Sequence, residues 1–155
     1  MISANIHKIK SSFIKVDKHI PAAVGCLASV LSYFGYSFPF HELHKSIMDG
    51  KNKLSLHGIM EAARAEGFEA EGYEGDINFM KEFYNPVILP AEKKTGYDYC
   101  FTLYGWSNKK FIIGDPHWGI VEYREDELNA VWVSMAFVLI RPIEPIPYCC
   151  LLNNK

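Results

Sequence analysis

A chain of 155 residues, 49% hydrophobic and 22% charged, is long enough to enclose one core of its own, and its formal net charge of −2 supplies no basic stripe for phosphates. Nucleic acid is therefore excluded as an expected partner. No run approaches the ~20 apolar residues of a membrane-spanning helix, and the start Met1-Ile2-Ser3-Ala4-Asn5-Ile6-His7-Lys8 lacks the apolar stretch of a secretion signal, so a cytoplasmic chain is expected.

In chain order, the first clear element runs from Pro21 to Phe34. Val24, Leu27, Ala28, Leu31 and Phe34 repeat at helical spacing, Pro21 suits the first position and Gly35 the stop. A second helix follows Pro39, with Phe40, Leu43 and Ile47 on one side and Gly50 closing it. Ser55 caps a third, in which Leu56, Ile59, Met60 and Ala63 share a face; Leu54 can staple against Ile59, and Gly67 ends the run. The period then changes. Pro86 to Pro90 reads as a short strand and Cys100 to Trp106 as a longer one; a turn at Ser107-Asn108-Lys109-Lys110 leads into a strand from Phe111 to Asp115. Gly119 to Tyr123 adds a strand, Glu125 to Val131 a short helical segment, and Val133 to Ile140 a last strand whose near-continuous apolar run implies burial. Glu92-Lys93-Lys94 and Glu122 to Glu127 read as solvated loops and faces. Helices first and an antiparallel sheet afterwards define an α+β domain. Residues 143–155, beginning with closely spaced prolines, read as a tail or linker after a domain over 1–142.

The four cysteines are Cys26, Cys100 and the adjacent Cys149-Cys150. With no Cys-x-x-Cys spacing they argue against a zinc site and a disulfide framework and suit a reducing compartment. Cys149-Cys150 with Leu151-Leu152 reads either as the start of a following membrane segment or as a natural tail. His41 and His44 lack a third ligand at a metal-binding spacing, so a solvated helix face is expected; no cofactor is implied.

The order of pieces resembles the C39 peptidases, papain-like domains usually found at the N-terminus of ABC transporters that export bacteriocins and similar peptides. The matching stretches are Gly25-Cys26-Leu27-Ala28-Ser29-Val30-Leu31-Ser32-Tyr33-Phe34-Gly35, Leu54 to Ala63 with Glu66-Gly67-Phe68, the Asp115-Pro116 step, and Ala136-Phe137-Val138-Leu139-Ile140-Arg141-Pro142. Together they span about Lys15 to Pro142. The resemblance implies a papain-like fold, with a helical N-terminal half packed on the sheet.

Chemistry of that class needs a thiolate, a base, a group that orients the base, and an oxyanion donor. By the resemblance, the nucleophile opens the first helix in a Cys-Gly step, where the helix dipole lowers a thiol pKa; that position is Ala22, followed by Ala23. The oxyanion glutamine, six residues earlier, is Val16. The base position is Cys100, before Phe101-Thr102-Leu103, and the orienting residue survives as Asp115. Ala22 admits two explanations: a cysteine-to-alanine change introduced into an active parent, or natural loss. An introduced change accounts for one departure of three, and Val16 and Cys100 weigh toward natural loss.

Cys100 as a relocated nucleophile, with His19 as base, stands against Cys100 as a small buried strand residue. Cys26, one turn after Ala22, reads as core packing. His117 and Trp118 follow the Asp-Pro step and flank the old cleft; with Tyr104 they are the candidate substrate contacts, Trp118 alternatively serving as a loop anchor. The expectation is a degenerate, C39-like pseudoenzyme that binds a leader or substrate peptide for an ABC-type exporter. It would be cytoplasmic and membrane-associated through that transporter. The alternatives are an active protease cleaving double-glycine leaders, seen here as a nucleophile variant, and an interaction domain whose partner binds away from the cleft.

Overall fold

The computed structural model describes residues 5–49, 55–83, 85–93 and 96–143. The helices are α1 (Ile6–Ser12), α2 (Ala22–Tyr33), α3 (Phe40–Asp49), α4 (Leu56–Ala65), α5 (Ile77–Met80) and α6 (Glu125–Val131). The strands are β1 (Phe68–Glu74), β2 (Val87–Lys93), β3 (Gly96–Ser107), β4 (Lys110–Asp115), β5 (Gly119–Tyr123) and β6 (Ala136–Pro142). The strands form one antiparallel sheet in the order β1-β6-β2-β3-β4-β5.

Side chains alternate across each strand, so the sheet has two apolar faces. Ile88, Cys100, Val138 and Ile140 face α2, α3 and α4, where Leu27, Leu31, Leu43, Ile47 and Ile59 complete the main core. Val87, Leu89, Phe101, Leu103, Phe111 and Ile113 face the other way, onto Met80 of α5 and Leu128 of α6. Burial on both faces is why β6 reads as a nearly unbroken apolar run.

The helix boundaries follow local chemistry. Ser55 caps α4 by accepting the Gly58 amide at 3.0 Å, and α2 stops where Gly35 takes φ +90°, with Tyr36 N–H donating back to the Leu31 carbonyl at 3.0 Å. In the β3–β4 hairpin Asn108 and Lys109 both take left-handed φ, 52° and 63°, the pattern of a two-residue turn that matches strand twist.

Some boundaries differ from the sequence expectation. β6 starts at Ala136 rather than Val133, because Ser134 and Met135 turn through left-handed φ of 63° and 51°. The Trp132 indole anchors that turn by donating to the Ala136 carbonyl at 2.8 Å. Glu92 and Lys93 belong to β2 rather than to the expected loop, and Lys94 lies outside the described residues. β1, α1 and α5 had no counterpart in the sequence reading. The expected Gly50 stop, the Leu54 staple and the tail from residue 144 lie outside the described residues.

α2 is buried nearly all round, from Ala22 to Leu31 and again at Tyr33. Its small residues let neighbours approach. A Cβ on Gly25 would lie 2.6 Å from Pro116 Cβ and 3.0 Å from Val16 Cγ2, both held by backbone. Gly25→Ala is therefore expected to lower stability by about 1–3 kcal/mol through overpacking, measured by urea unfolding; an unchanged midpoint would refute the close approach.

Candidate functional site

The turn after β4 is tied at three places to α2 and to the segment before it. Val16 N–H donates to the Pro116 carbonyl at 2.8 Å, Gly25 packs on Pro116, and a His117 ring nitrogen (Nε2) lies 2.6 Å from the Ile20 carbonyl. That carbonyl can only accept, so the His117 Nε2 carries the proton. Asp17 shapes the approach, its side chain accepting the His19 amide at 2.9 Å and its carbonyl the Ile20 amide at 2.9 Å. Pro21 then caps α2 without a side-chain hydrogen bond, and Ala22 follows as the first helical residue, 2% exposed.

Asp115 ends β4 and is 3% exposed. It accepts a short hydrogen bond from the Tyr99 hydroxyl and another from the His117 amide at 3.1 Å. The Tyr99 ring meets the His117 ring with centroids 5.3 Å apart. Burial, and after it the Asp115 hydrogen bond, push the Tyr99 phenol well above its ordinary pKa. It stays a neutral donor across the physiological range.

The structure brings Ala22, Cys26 and Cys100 into one buried cluster, with Tyr99 packed against it. Cys100, assigned to the base position by resemblance, has its thiol against Cys26 Sγ at 3.1 Å on the helical face of β3, and the nearby Asp115 charge acts on it only through space. The Cys26 contact and burial raise the Cys100 thiol well above its ordinary value, so it is a poor nucleophile. The β3 side chain that reaches Asp115 is Tyr99. Strand alternation is the signal that finds it, since Tyr99 shares its side of β3 with Phe101 and Leu103 rather than with Cys100.

Val16 is buried at the Pro116 contact and offers only its backbone amide for hydrogen bonding. Trp118 stands out from the β4–β5 turn, 71% exposed, with its amide donating to the Asp115 carbonyl at 3.1 Å. His117 is half-buried beside it. Tyr104 is elsewhere: it is buried among Ile9, Tyr33 and Ile112 under α1, so its side chain does not share a surface with Trp118. His41 and His44 lie on α3, and among the described residues no group of three or more His, Cys, Asp or Glu is placed to hold a metal ion.

A helical layer whose central helix opens beside an Asp-Pro turn of an antiparallel sheet is the arrangement of a papain-like peptidase domain. The profile of the Peptidase C39 family matches residues 11–142, and the chain belongs to that family.

Solved structures share the fold. The peptidase domain of Streptococcus ComA, a bifunctional ABC transporter involved in quorum sensing, superposes with a TM-score of 0.76 at 22% identity, covering 84% of this chain and 97% of that one. A double glycine motif protease from an AMS/PCAT transporter, solved with its leader peptide, gives 0.72 at 21% identity over 84% and 90%. The N-terminal peptidase C39-like domain of a toxin secretion ATP-binding protein from Vibrio parahaemolyticus gives 0.65 at 15% identity over 79% and 98%. No curated protein matches the chain. Among the described residues no helix is long and apolar enough to cross a membrane.

Proposed function

We propose that this C39 domain is a pseudoenzyme that binds a leader or substrate peptide and presents it, uncut, to an ABC-type exporter. The observation that carries the reading is the partner of Asp115. The carboxylate that would orient a catalytic imidazole instead accepts the hydroxyl of Tyr99, a phenol held neutral, while the opening of α2 carries the methyl group of Ala22. Without a nucleophile and a base, acyl transfer has no route through this site.

What remains is a recognition surface. Trp118 projects beside His117, next to the ordered entry of α2. An extended peptide laid there would gain backbone hydrogen bonds and an aromatic platform. The resemblance to a leader-bound protease of a transporter supports a peptide as the ligand and an exporter as the setting. On this reading residues 1–142 form the C39 unit, 143–155 lead away from it, and the domain works on the cytoplasmic side.

Titration with double-glycine leader peptides, followed by calorimetry and NMR, tests the proposal. Saturable binding that shifts resonances of Ala22, Tyr99 and Trp118, with the peptide intact by mass spectrometry, is the expected result. Absence of binding, or shifts confined to a distant face, overturns it. Trp118→Ala is expected to weaken binding about tenfold and leave the melting temperature unchanged, because an exposed side chain adds little to the core. The active-protease alternative draws on the retained Asp115-Pro116 step, and rebuilding the nucleophile separates the two readings.

A further inference from the structure

Cys26 and Cys100 play no part in the reading above, yet their thiols touch in the core. Cys26 sits on α2 and Cys100 on β3, 74 residues apart in sequence, and their sulfurs meet at 3.1 Å across the boundary between the helical layer and the sheet. Both are free thiols, 1% and 4% exposed. Ala22, Ala23, Ile88 and Tyr99 belong to the same buried neighbourhood and put no other thiol between them.

A disulfide needs its sulfurs about 2.05 Å apart and rotamers that aim the two Sγ atoms at each other. The two Sγ atoms already touch at 3.1 Å, so bond formation requires about 1 Å of approach. We propose that Cys26 and Cys100 form a dithiol–disulfide couple, an oxidation site that bolts α2 to β3 and locks the helical layer onto the sheet. The inference is independent of whether the domain binds or cuts a peptide.

The chemistry balances with a peroxide as oxidant. One thiol gives up its proton and the thiolate attacks hydrogen peroxide; the O–O bond breaks, a sulfenic acid forms, and the leaving hydroxide takes up that proton as one water. The second thiol then displaces its hydroxyl, forming the S–S bond and a second water. A dithiol reductant returns both thiols through a mixed disulfide. Burial and the neighbouring sulfur keep the Cys100 thiol protonated, so the couple answers sustained oxidant rather than a brief pulse.

The test uses the full chain carrying Cys149→Ser and Cys150→Ser, which leaves these two thiols alone, incubated natively with excess hydrogen peroxide. The expected result is loss of two hydrogen masses, a single linked peptide containing residues 26 and 100, full reversal by dithiothreitol, and a melting temperature raised by roughly 5–10 °C. The same peptide map on the unaltered chain guards against an effect of the tail substitutions. Retention of both thiols in the native chain, while the urea-unfolded chain oxidises, overturns the proposal. So does sulfinic acid at either position without a crosslink, or a linked species that melts lower than the dithiol.

Discussion

Replacing Asp115 with alanine is expected to cost about 3–5 kcal/mol of folding stability, more than any other single change near the site. The carboxylate is 3% exposed and serves two donors, the Tyr99 hydroxyl and the His117 amide. Truncation takes the acceptor away from two half-buried groups, the Tyr99 hydroxyl and the His117 amide, and an unsatisfied buried group costs about 1–3 kcal/mol. It also loosens the turn that holds the entry of α2 through Pro116 and His117. Tyr99→Phe removes the phenol donor to the carboxylate and should cost about 1–3 kcal/mol. Urea unfolding of the two variants checks the order: a smaller loss for Asp115→Ala than for Tyr99→Phe would show that the carboxylate is not the organising group.

Ala22→Cys alone is expected to leave double-glycine leaders uncut, whereas Ala22→Cys with Tyr99→His is expected to cleave them. A thiol at the start of α2 lies at the positive end of the helix dipole, which favours the thiolate. Yet the group facing Asp115 would still be a phenol held above its ordinary pKa, unable to take the thiol proton or return one to the leaving amine. Putting imidazole at position 99 restores a base that Asp115 can orient. General acid–base help is worth about 100-fold or more in rate, so the double variant should exceed the single one by at least that factor, read by mass spectrometry of leader fragments. Cleavage by Ala22→Cys alone would establish the active-protease alternative and end the pseudoenzyme reading.

Elements whose signals are local and strong were legible in the sequence. Pro21 and Gly35 bracket α2, the Ser55 cap starts α4, and Asn108-Lys109 turns the β3–β4 hairpin. β1 was not legible, because only Phe68 and Ala70 of its seven residues are buried and its glutamates give it the composition of a loop; pairing with β6 makes it a strand. α1 buries only Ile9 and Ser12, too little for a periodic signal. At the site, the family resemblance located Asp115 and the start of α2. It put the base position at Cys100, one residue past the side chain that meets the carboxylate, Tyr99, since which of two neighbours does so depends on the face of the sheet each occupies. Tyr104 was misleading for a similar reason: an aromatic on a strand looks the same in sequence whether it faces solvent or, as here, the space under α1.

The contact between Gly25 and Pro116 has an evolutionary consequence. One position lies on the first long helix and the other in a turn 91 residues later, yet neither can gain volume unless the other gives way. Residues 25 and 116 should therefore drift as a linked set with Val16, whose methyl also crowds the helix position: a side chain on the helix needs room given up on both neighbours. Selection on the shape of this joint is separate from selection on chemistry, so the turn can be kept whether or not the start of α2 carries a nucleophile.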